Sequence, residues 1–219
     1  MTFDHILVDP AWAYNNRLSG KGRTKFGSGA SGKYQVEKTS EMAKFRVQDL
    51  ANDTCHLHLW VTGPFLPDAF QLIEAYGFIY KTIEFCWVKL TKSTKRSKLL
   101  QLIYSLTLPQ FMQKVTRTLP GRYTASNVEL VLLATTKDVY LPLIKMYPQV
   151  IYQAPMSHSR KPDTVHEWIE SSYPGQRYIE LFARRKRDGW TCLGNELDGM
   201  DLRESILIAV LAEQSTVGG

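Results

Sequence analysis

The sequence predicts a three-layer α/β domain built around a mostly parallel sheet. Short apolar runs recur along the chain, helical segments separate them, and Gly and Pro punctuate the joins. In such a sheet the ligand crevice lies beyond the carboxyl ends of the strands, so a strand that ends in chemically active residues carries weight. With 219 residues the chain can bury a full core. We therefore expect a single domain over residues 1–219, with basic insertions near 17–46 and 89–122.

The first strand covers residues 4–8 and delivers Asp9 at its carboxyl end. Residues 20–32 are rich in glycine and small polar side chains, which bury too little surface to offset ordering entropy, and they read as a flexible insertion. A surface loop at a strand end is where substrate lids commonly occur. Residues 56–61 form the next strand and lead through Gly63-Pro64 into a helix over 66–77. Pro67 is tolerated in its first turn and Gly77 suits its end. Residues 82–88 are a strand that enters a basic segment. Over 99–120 the pattern is ambiguous, with Pro109 and the Pro120-Gly121 turn limiting any long helix. Strands follow at 127–135 and 149–153. Pro162 starts a helix with Val165, Trp168 and Ile169 facing inward, finishing before Pro174-Gly175. Residues 178–183 form a strand, followed by Arg184-Arg185-Lys186-Arg187. The apolar run 206–211 reads equally as a short packing helix or a subunit contact, leaving monomer and homodimer both open.

Hydrophobic residues make up 44% of the chain and charged residues 22%, the composition of an ordinary soluble globule. No stretch reaches the roughly 18 uninterrupted apolar residues of a membrane span. The amino terminus lacks the basic, apolar, small-residue progression of a secretion signal, so a cytoplasmic location is expected. Cys55, Cys86 and Cys192 are widely spaced and odd in number, which suits free thiols in a reducing compartment. Cys55, His56 and His58 cluster in sequence, but no second close pair completes a zinc set, and no metal is expected. His56 and His58 alternate in a strand and read as satisfied polar positions on one face.

The formal charge of +6 favours polyanionic partners. Its placement says more than its size. Arg17, Lys21, Arg23, Lys25, Lys33 and Lys38 lie in the Gly- and Ser-rich segment; Lys89, Lys92, Lys95, Arg96 and Lys98 form a second cluster, continued by Lys114, Arg117 and Arg122. Such side chains serve as mobile phosphate contacts whose contribution weakens with salt, or simply as the charged surface of two solvated loops.

Asp9 carries the strongest chemical signal. An Asp-Pro pair is usually a turn, but this one follows an apolar strand and precedes Trp12 and Tyr14. A carboxylate, the Pro10 carbonyl and an indole within a few residues can hold a planar ring bearing an amine. Asp9 and the Pro10 carbonyl accept from the amine while Trp12 stacks on the ring. An aromatic amine is a poor nucleophile because its lone pair is delocalised. Two acceptors around it favour pyramidal geometry and stabilise the positive charge that develops as a bond forms. Gly27, Gly29 and Gly32 are unequally spaced and follow no convincing strand, which argues against a nicotinamide loop. A phosphate-cradling Gly-rich Lys-Ser/Thr loop and a Gly-x-Ser-x-Gly elbow are likewise missing from the sequence.

The ordered pieces Asp9-Pro10-Ala11-Trp12, Leu57-His58-Leu59-Trp60-Val61-Thr62, Ala75-Tyr76-Gly77-Phe78 with Trp87-Val88-Lys89, and Ser159-Arg160-Lys161-Pro162-Asp163 form a longer pattern. It continues in Ile179-Glu180-Leu181-Phe182-Ala183-Arg184, Gly189-Trp190 and Gly194-Asn195-Glu196. Over most of residues 3 to 199 this set resembles the MT-A70 family of adenine N6-methyltransferases, in its smaller bacterial and phage-type form. The resemblance implies a Rossmann-like methyltransferase fold, S-adenosylmethionine as methyl donor and a methylated adenine as product. It also implies a catalytic segment lying ahead of the principal cofactor segment.

By matching motif positions, Asp9, Pro10 and Trp12 are catalytic, and Asp9 also meets the donor's methionine end. Lys161 contacts that end, Arg184, Asn195 and Glu196 hold the ribose and neighbouring adenosine groups, and Glu180 is an acidic position near the pocket. Tyr14, Asn15 and Asn16 shape the base pocket, while Arg17, Lys21, Arg23, Lys25, Lys92, Lys95 and Arg96 hold the nucleic-acid backbone. The implied activity is DNA adenine N6-methylation by a phage-associated enzyme of the host cytoplasm. RNA adenine methylation and a noncatalytic nucleic-acid-binding partner are the alternatives. The family's usual Asp-Pro-Pro-Trp is Asp-Pro-Ala-Trp here: Ala11 keeps the spacing but restores a backbone N–H, and a looser or slightly shifted turn is expected.

Overall fold

The computed structural model describes residues 2–12, 38–92, 96–117, 124–138, 143–156 and 160–214. In chain order the strands are β1 (Phe3–Val8), β2 (Ala51–Val61), β3 (Ile79–Lys89), β4 (Val128–Thr135), β5 (Val150–Gln153), β6 (Tyr178–Leu181) and β7 (Trp190–Leu193). The helices are α1 (Thr39–Met42), α2 (Leu66–Ala75), α3 (Arg96–Ser105), α4 (Leu108–Val115), α5 (Thr164–Ser172), α6 (Asn195–Asp198) and α7 (Leu202–Gln214). The strands form a seven-stranded sheet in the order β5-β3-β4-β2-β1-β6-β7. β1 pairs in parallel with β2 and β6, β6 with β7, and β3 with β5. β4 runs the other way. Thr136, just past its end, donates to the Cys55 carbonyl early in β2, and Asn127, just before its start, accepts from Lys89 at the end of β3. The expected α/β class with a mostly parallel sheet is observed.

The chain divides into two compact units, with the division falling inside β3 and inside β4. The first contains residues 1–82, 132–141 and 175–219. Its central strands are covered on both faces: Ile6, Leu7 and Val8 of β1 and the whole run Cys55 to Val61 of β2 are buried. Such strands tend toward apolar runs on both faces; Ile6 to Val8 and Leu59 to Val61 follow that pattern, while His56 and His58 interrupt it. α2 ends in a Schellman motif, with Phe78 N–H on the Ile73 carbonyl, Gly77 N–H on the Glu74 carbonyl, and Gly77 at φ 76°.

Two features of this unit depart from expectation. The basic 17–46 segment is not an insertion throughout, because α1 forms at its end and Met42 and Phe45 enter the core. The Tyr76 hydroxyl donates to the Met42 carbonyl and fixes this segment to the end of α2. β7 also lies outside the expected strands. At four residues, Trp-Thr-Cys-Leu, it is too short for alternation to show, and pairing with β6 supplies its order.

The second unit contains residues 83–131 and 142–174. The ambiguous region resolves into α3 and α4. Pro109 sits in the first turn of α4, where its missing N–H costs nothing. The Gln110 side-chain oxygen accepts from the Thr107 backbone N–H at 3.0 Å. α5 begins at Thr164 and ends before Pro174, burying Val165 and Ile169, while Trp168 stacks half-exposed on Tyr147. Among the described residues no helix is long and apolar enough to cross a membrane.

Candidate active site

In the first unit, three parallel strand ends lie side by side. Val8 pairs with Leu181 and Leu181 with Leu193, so Asp9, Phe182 and Gly194 leave the sheet at one edge. Adjacent strands stand about 4.8 Å apart, so this edge is about 10 Å wide. The Asp9 backbone N–H reaches the Leu181 carbonyl at 3.5 Å.

The turn after β1 is tight. Trp12 N–H donates to the Pro10 carbonyl at 2.9 Å, closing a three-residue ring centred on Ala11. Ala11 is absent from the positive-φ residues, so this is an inverse γ-turn. The Pro10 carbonyl keeps a second lone pair for a substrate amine. Trp12 is only 5% exposed. Its indole stacks on Phe65 with centroids 5.1 Å apart, and its N–H donates to the Trp60 carbonyl at 3.3 Å. Trp12 therefore anchors the turn to the end of β2, a role the sequence reading did not include.

β6 ends abruptly because Phe182 adopts φ 61°, a left-handed conformation that costs a bulky residue about 1–3 kcal/mol. Its ring stacks on Phe45, which also lies beneath the Arg203 guanidinium. Beyond it, Arg184 pairs with Glu196 at 3.5 Å, linking the segments after β6 and β7. Gly194 is required between them. A Cβ there would lie 2.2 Å from the Ala183 carbonyl oxygen and 2.7 Å from its nitrogen, and Ala183 N–H bonds the Leu193 carbonyl at 3.0 Å. Asn195 then opens α6, with Glu196 in its first turn. Glu180 lies within β6, level with Leu7 and Cys192.

Lys161 belongs to the second unit. Its ammonium lies 3.4 Å from Glu129 of β4, whose other oxygen pairs with Lys89 of β3; all three side chains are largely buried. Burial alone would raise the Glu129 carboxyl, but Lys161 and Lys89 outweigh it and hold the group below its ordinary value. Lys89 is thus drawn into a buried ion pair and is not the mobile phosphate contact expected of it. Glu129 was missed altogether. Its signal was present as the lone acid in the apolar strand Val-Glu-Leu-Val-Leu-Leu-Ala-Thr.

Lys92 is exposed, as a phosphate contact requires, and Arg96 opens α3. Tyr14, Asn15, Asn16, Arg17, Lys21, Arg23, Lys25 and Lys95 lie outside the described residues, as does the expected flexible insertion at 20–32.

Comparison with known proteins adds to this geometry. The family model described as MT-A70 matches residues 3–196. The chain is similar to the type II methyltransferase M.MunI of Mycoplasma sp, with 30% identity over 204 residues, 88% of this chain and 76% of that protein. It is also similar to the human N(6)-adenosine-methyltransferase catalytic subunit METTL3, with 26% identity over 210 residues, 94% of this chain but 30% of that protein. Against the human N(6)-adenine-specific methyltransferase METTL4 the identity is 26% over 198 residues, 90% of this chain and 38% of that protein. The chain thus spans about three quarters of the first relative and well under half of the other two.

Proposed function

The chain belongs to the MT-A70 family, and from that premise we propose that it transfers a methyl group from S-adenosylmethionine to N6 of adenine in DNA. The observation that carries this reading is the shared edge of β1, β6 and β7, where Asp9 emerges beside the segments holding Arg184, Asn195 and Glu196.

The residues present fit the donor chemically. A carboxamide, a carboxylate and a guanidinium suit ribose hydroxyls and an adenine edge, and the bare backbone at Gly194 lets the two strand ends approach closely. Asn195, Glu196 and Arg184 would hold the adenosine part, with Glu180 nearby. Lys161 would meet the methionine carboxylate, and Glu129 would set its position. The donor supplies an electrophilic methyl group; the remaining work falls to the chain.

Asp9 accepts one N–H of the target amine and the Pro10 carbonyl accepts the other. Together they turn the nitrogen lone pair away from the ring and stabilise the charge that develops on it. The proton then leaves through Asp9 or water. The adenine reaches this turn extruded from a duplex or from an unpaired strand. Trp12, buried and stacked on Phe65, holds the turn rigid, and the expected stacking of the base on its indole is not what this burial favours. Tyr14, Asn15 and Asn16 would line the base pocket. Lys92 and the basic residues around it would bind phosphates, with salt-dependent strength.

DNA is preferred because the bacterial relative is matched over most of its own length. The similarity to METTL3 keeps adenosine in RNA as the second reading. A donor-dependent assay on matched DNA and RNA, read by nucleoside mass spectrometry, tests both. N6-methyladenine in DNA supports the proposal. Product confined to RNA replaces the substrate, and no product on either with donor bound overturns the enzyme assignment.

A further inference from the structure

Three of the chain's five histidines meet in the core of the first unit, away from the strand edge described above. His5 lies on β1, and His56 and His58 on β2. All three are buried, at 0%, 1% and 0% exposure. In the parallel register His5 faces His56 and Leu7 faces His58, so the period of two puts the three imidazoles on one face of the sheet. Cys55 falls on the other face by the same alternation, so the ligand grouping suggested by sequence adjacency is not the one the fold builds. His5 replaces Cys55, contributed from a strand some fifty residues away in the chain, a partner no local spacing reveals.

The rings converge. Centroids lie 5.3 Å apart for His5 and His56, 5.3 Å for His5 and His58, and 6.2 Å for His56 and His58. One nitrogen from each ring lies within 4.8 Å of the others, and His5 Nδ1 is 3.0 Å from His58 Nε2. With metal–nitrogen bonds of about 2.0–2.1 Å, imidazoles around a tetrahedral ion keep their ring centres about 5.2 Å apart. Two of the three observed separations match that value, and the third, at 6.2 Å, is about 1 Å longer. Burial pushes both His5 and His56 down, the latter to about 3, with His58 beside each adding to the effect. Imidazole binds a metal in its neutral form, the form that burial favours.

We propose that His5, His56 and His58 form a buried three-imidazole site for a transition-metal ion of borderline softness, with zinc(II) as its natural occupant. Imidazole nitrogens in a tetrahedral set favour zinc over magnesium or calcium, which seek oxygen. To bind the ion each ring has to carry its proton on the nitrogen facing away from it. The ion ties β1 to β2 at His5, upstream of the strand end that carries Asp9. Its role is structural, and it takes no part in the transfer chemistry proposed above.

The test uses the full chain without an affinity tag, stripped with a chelator and then titrated with Zn²⁺ and, separately, Co²⁺. An equimolar complex is expected, with three imidazoles and one water giving the intense visible spectrum of four-coordinate cobalt, and a melting temperature raised by Zn²⁺. His58→Phe, which keeps an apolar ring of similar size, should weaken Zn²⁺ binding by about 100-fold or more, since even loss of a supporting partner costs 10–100-fold. If that variant fails to fold, His56→Val serves in its place, and the cobalt spectrum of the unaltered chain stands on its own. Uptake by the unaltered chain no greater than by His58→Phe, or cobalt that keeps the weak spectrum of the hexaaqua ion, overturns the proposal and leaves the triad as a hydrogen-bonded polar core.

Discussion

Glu129 stands between two lysines, 3.4 Å from Lys161 on one side and paired with Lys89 on the other. Three largely buried charges with a net of +1 are stable only as a set. Removing one member of a buried pair leaves an uncompensated charge, at a cost of about 3–5 kcal/mol. Glu129→Gln should therefore destabilise the chain by about 3 kcal/mol and release Lys161, weakening donor binding in calorimetry. The pH dependence has a definite sign. The Glu129 carboxyl is held below its ordinary value of 4.5, so its contribution is complete above that pH and is lost as the medium acidifies through the lower, folded-state value. The stability gap between the unaltered chain and Glu129→Gln should close as pH falls below 4.5. A gap that stays constant into acid would show that Glu129 carries no charge in the fold.

Gly194 offers a steric test of the donor edge. A methyl group at that position would sit 2.2 Å from the Ala183 oxygen, and overpacking of this kind costs about 1–3 kcal/mol. Because Ala183 also donates to Leu193, the strain falls on the junction that positions Arg184 and Asn195. Gly194→Ala should lower the melting temperature and weaken donor binding by about tenfold or more. Gly63→Ala is the control, since nothing lies within 4 Å of its added methyl. Equal donor affinity in the two variants would detach Gly194 from the donor site.

Ala11 is the departure from the family motif, and the turn explains why it is tolerated. The ring closed by Trp12 N–H and the Pro10 carbonyl needs a negative φ at position 11, which a proline also supplies. Ala11→Pro should leave methyl transfer within about twofold. It should stabilise the chain by about 0.4–1 kcal/mol through the unfolded state, a rise of about 1–4 °C in melting temperature. A loss of stability would mean that the backbone N–H at Ala11 is engaged.

Much of this was legible in the chain itself, for a physical reason. β1 and β2 are buried on both faces near their carboxyl ends, where Ile6 to Val8 and Leu59 to Val61 are unbroken apolar runs, and Asp9 stands out where one of them stops. α2 announced its end through Gly77, whose φ of 76° suits glycine. Relationships between distant strands were not legible. Glu129 acquires meaning only when β4 brings it to Lys161, and His5 only when β1 lies beside β2. β7 was hidden because a short edge strand draws its order from pairing more than from its own pattern. Trp12 was recognised as important, but the sequence could not say that Phe65 and the Trp60 carbonyl already engage its indole.

That last point separates two roles within one turn. Trp12→Phe keeps a ring against Phe65 but removes the indole N–H that reaches the Trp60 carbonyl at 3.3 Å, a loss worth about 0.5–1.5 kcal/mol. Asp9→Asn keeps the shape of the turn but replaces a charged acceptor with a neutral amide. If Asp9 handles the amine while Trp12 mainly holds the turn, the two variants should fail differently. Asp9→Asn should melt close to the unaltered chain, bind donor within a few-fold, and lose about 10²–10³ in kcat, the loss seen when one group that stabilises developing charge is removed. Trp12→Phe should melt several degrees lower and keep most of its kcat. The opposite pattern, with kcat surviving at Asp9→Asn and collapsing at Trp12→Phe without loss of stability, would move the chemistry from the carboxylate to the indole.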